Sequence, residues 1–167
     1  MLRIEEVNQL SKEDFIKMLG GIFENSPWVA KKVEVFRPFA SLDQLYESMT
    51  EVVGNVPKQE KLELMRAHPN LGNRIKMSDA STKEQQGAGL QDLSEPELAT
   101  FLKLNNDYMD KFGFPFIIAV KGMDKSLIYQ TMEKRFLQSE EEEFEVALTE
   151  INKIAYLRLQ DKITQPQ

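Results

Sequence analysis

The sequence predicts an all-α protein, a single compact multi-helix domain interrupted by one short extended apolar segment near residues 114–120. Three observations predict it. Residues that cap helix starts recur along the chain, with acidic side chains or a glutamine in the turn that follows. Apolar residues behind those caps return every three or four positions, the period of a helix with one buried face. One run has the length and composition of a strand, but no second convincing strand is available to pair with it.

The elements follow in order. Ser11-Lys12-Glu13-Asp14 reads as an N-cap and an acidic first turn, with Leu10 and Phe15 spaced as a hydrophobic staple. Phe15, Met18, Leu19, Ile22 and Phe23 continue it as a stripe at i, i+3, i+4, i+7 and i+8. Ser26-Pro27 opens the next segment, with proline at the first helical position. Ser41-Leu42-Asp43-Gln44 is a capping box ahead of Leu42, Leu45, Tyr46, Met49 and Val53. A short helix is expected after Pro57, running towards Arg66. Ser94-Glu95-Pro96-Glu97 is a second box, leading into Leu98, Leu102, Asn105, Met109 and Phe112 and stopping at Gly113. Ser139 to Glu142 forms a third box before the longest periodic stretch, with Phe144, Leu148, Ile151, Ala155 and Leu159 on one face. The glutamates at 140–143 read as a solvated helix start favoured by the helix dipole. Residues 1–163 are expected to form the domain and 164–167, Thr-Gln-Pro-Gln, a tail or linker.

Between Gly113 and Gly122 the apolar run Phe114-Pro115-Phe116-Ile117-Ile118-Ala119-Val120 breaks the helical pattern. A buried extended segment must place its backbone N–H and C=O groups somewhere, and a polar ligand is one candidate partner.

Composition narrows the function classes. At 167 residues the chain is long enough to bury roughly 70% of its unfolded surface in one domain. Twenty-one basic against 27 acidic residues give a net charge of -6, which argues against a general binder of nucleic acid or acidic membranes. An anionic ligand must be attracted by a local positive cluster. The absence of cysteine removes disulfides, thiolate metal sites and a cysteine nucleophile. Met1-Leu2-Arg3-Ile4-Glu5-Glu6 lacks the apolar core of a secretion signal, and no apolar run approaches the ~18 residues of a membrane span. The expected compartment is the cytoplasm.

Two constellations carry chemistry. His68 is the only histidine, the side chain whose ordinary pKa, about 6.5, lies near neutrality. It stands in Arg66-Ala67-His68-Pro69-Asn70-Leu71-Gly72, where the following proline disfavours helix and places the ring at a helix-to-loop exit. The bland alternative is a partly buried structural histidine. The second constellation is Ser81-Thr82-Lys83-Glu84-Gln85-Gln86-Gly87-Ala88-Gly89-Leu90. Ser81 and Glu84 fit a capping box, yet the helix they would open meets two glycines within two turns, as where backbone approaches a ligand closely. Pattern alone leaves both readings open.

The ordered set is more specific than its parts. His68-Pro69-x-Leu71-Gly72, Ser81-x-x-Glu84-Gln85-x-Gly87-Ala88-Gly89-Leu90 and Phe112-Gly113-Phe114-Pro115-Phe116-Ile117-Ile118 follow at close spacing. Together they resemble the 2-oxo-4-hydroxy-4-carboxy-5-ureidoimidazoline (OHCU) decarboxylases, enzymes of the last step from urate to (S)-allantoin. The resemblance covers the whole chain, including Phe15, Gly20, Glu24 and Arg37-Pro38-Phe39 near the start and Arg158-Leu159 near the end.

The resemblance implies an all-helical, homodimeric enzyme with no cofactor and no metal. It acts on a small ureidoimidazoline, either fused to urate oxidase or working beside urate oxidase and hydroxyisourate hydrolase. His68 would be the main acid/base and Glu84 would hold or polarise the ureido and ring nitrogens. Ser81, Thr82, Lys83 and Gln85 would complete the polar contacts, with Pro69 lining the pocket. Backbone of Phe116, Ile117, Ile118, Ala119 and Val120 would bind the ring amides, giving the apolar run a reason to be extended. Family members often carry arginine shortly after this segment; here Lys121 stands there, keeping the charge but losing the two-pronged grip on a carboxylate. A non-catalytic helical module would not explain the polar and glycine cluster at 68–90. A zinc hydrolase would be short of ligands with one histidine and no cysteine.

Overall fold

The computed structural model describes residues 1–69 and 93–166. Among these are eight α-helices: α1 (Ile4–Gln9), α2 (Lys12–Leu19), α3 (Trp28–Val33), α4 (Leu42–Asn55), α5 (Lys58–Arg66), α6 (Glu95–Phe112), α7 (Lys125–Phe136) and α8 (Glu140–Lys162). A 3-10 turn, Glu34–Phe36, follows α3. The only sheet-like pairing among the described residues is an isolated parallel bridge between Leu2 and Ile163. None of the described helices is long and apolar enough to cross a membrane. The chain divides into two compact units, Met1–Ala67 with Asn152–Gln167, and His68–Ile151.

In the first unit the caps form as their side chains dictate. Ser11 Oγ accepts from the Asp14 N–H at 3.1 Å and Ser41 Oγ from the Gln44 N–H at 3.1 Å. The Gln44 carbonyl oxygen takes the Ala40 N–H at 2.5 Å, so this box closes one residue further back than its spacing suggests. Val7, Phe15, Leu19, Val29, Val33, Leu45, Met49 and Val53 bury the facing sides of α1 to α4. Arg37 lies over the Phe15 ring and donates to the Leu10 carbonyl at 2.5 Å, engaging the end of α1. Asn8 and Phe39 exchange two bonds of 2.8 Å, side chain to backbone, and fix the turn after the cis Arg37–Pro38 peptide.

The second unit is built on aromatic packing. Ser94 and Glu97 complete a capping box at the start of α6. Gly113 ends that helix with φ at 78°, a left-handed position that glycine fills without a Cβ clash. Tyr108, Phe112, Phe114 and Phe116 pack ring against ring, with Phe144 of α8 against Phe114. Asp124 caps α7 through the Leu127 N–H at 2.8 Å, and Lys111 closes its other end by donating to the Phe136 and Gln138 carbonyls.

The structure corrects three expectations. The stripe begun at Phe15 does not stay helical, because α2 ends at Leu19; Ile22 and Phe23 are buried from the turn after Gly20 and Gly21. On α6 the buried face is Phe101, Asn105, Tyr108 and Phe112, while Leu102 is exposed, because the aromatic residues claim the core. The glutamate run is not uniformly solvated: Glu140 to Glu142 are exposed but Glu143 is fully buried. One turn into α8, Glu143 falls on the face that packs inward. At residue 164 the Thr164 N–H donates to the Leu2 carbonyl at 2.9 Å.

Candidate functional site

His68 is placed by the end of α5. Proline at 57 precedes the first turn of that helix, and the Ala67 N–H closes its last turn on Glu63 O at 2.9 Å. The Ala67 carbonyl accepts from Asn25 Nδ2 at 3.1 Å, and Asn25 itself holds a left-handed φ of 50°. The chain therefore leaves helical geometry at His68, as the proline after it requires. His68 is 8% exposed, and Pro69 is half-buried.

The segment from Phe114 to Val120 has neither helix nor strand. All of it is buried except the half-buried Ala119. His68 and this segment belong to the same compact unit. Two side chains hold its backbone. Arg135 Nη1 donates to the Ile117 carbonyl at 2.7 Å, and Glu150 Oε1 accepts from the Ala119 N–H at 3.1 Å. Between them, no hydrogen bond among the described residues engages the N–H or C=O of Ile118. Buried backbone groups are paired in more than 90% of cases. The Met123 N–H then closes a turn onto the Val120 carbonyl at 2.9 Å, with Gly122 at φ 79°. Lys121 is exposed in that turn.

Behind the segment lies a charged group that sequence reasoning missed. Arg135 binds Glu143 through Nε at 2.7 Å and Nη2 at 2.6 Å, and stacks 4.4 Å from the Phe116 ring centroid. Tyr108 donates its hydroxyl to the same carboxylate at 2.5 Å. Burial first, and the bond to Glu143 second, raise the Tyr108 pKa well beyond its usual value, so the phenol stays a donor. The signal was present: Arg135 follows Ile128 and Met132 at i+7 and i+3, and Glu143 and Glu150 share a face of α8 with Ala147. A charge on an apolar stripe implies a buried partner.

Ser81, Thr82, Lys83, Glu84 and Gln85 lie outside the described residues. Among the described residues no three histidine or carboxylate groups cluster as metal ligands would. Two surface hollows of about 420 and 440 Å³ are lined by α4 with its neighbours and by α6 with α7. Neither touches His68 or the 114–120 segment.

Comparison with known proteins adds to this geometry. The OHCU decarboxylase family matches residues 8–160. The chain belongs to that family. A 2-oxo-4-hydroxy-4-carboxy-5-ureidoimidazoline decarboxylase of Halalkalicoccus jeotgali is 46% identical over 166 residues, covering 99% of this chain and 94% of that one. The uric acid degradation bifunctional protein of Bacillus sp. strain TB-90 is 44% identical over 161 residues, but this chain spans only 32% of its length. Among solved structures, the crystal structure of (S)-allantoin synthase has a TM-score of 0.82 at 31% identity, covering 98% of this chain and 54% of that one. An OHCU decarboxylase crystallised in the presence of (S)-allantoin has a TM-score of 0.73 at 25% identity over 91% of this chain and 97% of that one.

Proposed function

We infer that this chain is a carboxy-lyase that converts OHCU to (S)-allantoin and CO₂ in urate degradation. The observation that carries the reading is the burial of His68 at a helix exit, within the unit that also holds the Phe116–Val120 backbone. Family membership over residues 8–160 supplies the substrate class.

The chemistry fits the groups at hand. When the substrate carboxylate leaves as CO₂, the electron pair of the broken C–C bond moves towards the adjacent ring C=N, whose nitrogen takes a proton. The hydroxyl on the same carbon then gives up its proton to become the ring carbonyl, and a proton is delivered to the carbon bearing the ureido group. The electron sink is in the substrate, where other decarboxylases borrow one from a cofactor. What the protein supplies is orientation and control of these three proton transfers, the last of which sets the product's hand.

In this reading His68 exchanges the hydroxyl proton. Glu84 accepts from the ureido and ring N–H groups, because a carboxylate is an acceptor only. Pro69, Ser81, Thr82, Lys83 and Gln85 complete the pocket, and the Phe116–Val120 backbone binds the ring amides. Lys121, exposed beside that backbone, offers a positive charge to an anionic substrate. The cytoplasm as compartment, a homodimer, and cooperation with urate oxidase and hydroxyisourate hydrolase belong to the same proposal. The bifunctional urate-degrading relative supports the last of these.

The test is to generate OHCU from urate in situ and follow allantoin by circular dichroism. Rapid appearance of one enantiomer is expected; a slow racemic product would remove the reading.

A further inference from the structure

We propose that Arg135 and Glu150 are positioning residues that hold one edge of the 116–120 backbone and so leave Ile118 as the residue that reads the substrate's amides. The inference rests on the decarboxylase reading and goes beyond it by naming what selects the binding groups.

The geometry follows from backbone alternation. In an extended chain the N–H and C=O of one residue point to the same side, and those of the next residue point to the other. Arg135 takes the C=O of Ile117 and Glu150 takes the N–H of Ala119, two groups that an extended backbone directs to one side. The N–H and C=O of Ile118 then face the opposite way. They form an adjacent donor and acceptor, free among the described residues, on a residue only 7% exposed. A cyclic ureide or amide presents the matching pair, C=O beside N–H, so the ligand would complete the edge much as a paired strand does.

Arg135 is itself fixed. Arg135 is gripped by Glu143 through two nitrogens, and Glu143 is held in turn by Tyr108. Phe116 lies under the guanidinium, so the residue two before Ile118 is locked by the same side chain. Arg135 and Glu143 are 5% and 0% exposed, and Glu150 is 9% exposed, so water competes little for these bonds. Arg135 is thus committed to backbone through Nη1 and to carboxylate through Nε, while its buried Nη2 makes no hydrogen bond among the described residues.

The test compares Glu150→Gln with Glu150→Ala in the full chain, each checked for folding by circular dichroism and thermal melting. Glutamine keeps an acceptor for the Ala119 N–H and should keep the KM near the wild-type value. Alanine lets the edge turn and should raise KM about tenfold, with a smaller change in kcat. Arg135→Lys, which keeps charge and one donor, should fall between wild type and Arg135→Met. A second measurement reads the backbone directly by amide exchange with and without (S)-allantoin. Ala119 should be protected in both states, and Ile118 only with ligand. Wild-type KM in a folded Glu150→Ala, or protection by allantoin at Ala119 and not at Ile118, would overturn the proposal. If wild type makes no allantoin at all, the reaction assignment fails. If wild type is active and the alanine variant binds as well, only this inference fails.

Discussion

His68 and Lys121 show how differently two candidate site residues read before and after folding. The histidine was legible because proline follows it and no other histidine exists; the structure adds that it is buried at the exit of α5. His68→Ala should lower kcat by about 10²–10⁴-fold with the fold intact, since that is what a positioned acid/base typically contributes. Circular dichroism of fold and product would check both halves, and near-normal turnover would return His68 to a packing role. Lys121 is exposed, so its charge is screened by water and salt. Lys121→Met should therefore raise KM only about two- to fivefold at low salt, with the difference shrinking as salt is added. A KM equal to wild type at every ionic strength would show that Lys121 only faces solvent. What the sequence hid at this scale was Glu143, because a glutamate at a helix start looks solvated whether or not a Tyr108 and an Arg135 await it.

At the scale of elements, caps were the most legible feature, because each is a contact between residues three apart. Ser11, Ser41, Ser94 and Ser139 all accept from the N–H three residues on. Faces were harder, because which apolar residues turn inward depends on what stands opposite, as the choice of Phe101 and Tyr108 over Leu102 shows. α1 and α7 have no counterpart among the expected helices, although Asp124 caps α7. The cap at α6 makes a pH prediction. The Ser94 N–H and then Lys125 lower the Glu97 pKa from 4.5 to about 2. Between those values the folded chain binds fewer protons than the unfolded one, so the carboxylate's contribution is complete above about 4.5 and fades as pH falls towards 2. Glu97→Gln keeps the cap geometry but not the charge. Its Tm should trail wild type at neutral pH, and the gap should close as pH drops through that window. A gap that stays constant with pH would mean that the charge adds nothing.

For the molecule as a whole, the notable feature is that neither compact unit is delimited by a simple break in the sequence. The first unit joins residues 1–67 to 152–167, and the 23-residue α8 passes from the second unit into the first. No composition shift marks those boundaries. Polar and aromatic contacts made across more than a hundred residues of chain are among those that join the two distant segments. Tyr156 donates to Asp43 at 2.9 Å and packs edge-on against Tyr46. Arg158 pairs with Glu24 at 2.8 Å, and both are at most 5% exposed. Its other nitrogen reaches the Gly21 and Ile22 carbonyls at 3.3 and 3.4 Å. Removing one member of a buried pair leaves the other charged and desolvated, at a cost of about 3–5 kcal/mol, whereas replacing both with apolar residues of similar size is often nearly neutral. Arg158→Met and Glu24→Leu should each lower the unfolding free energy by that amount in urea titrations. The double variant should recover a large part of the loss, apart from the carbonyls that Arg158 no longer serves. If the two single effects simply add, the charges are not coupled, and the ion pair is not what joins the end of the chain to its beginning.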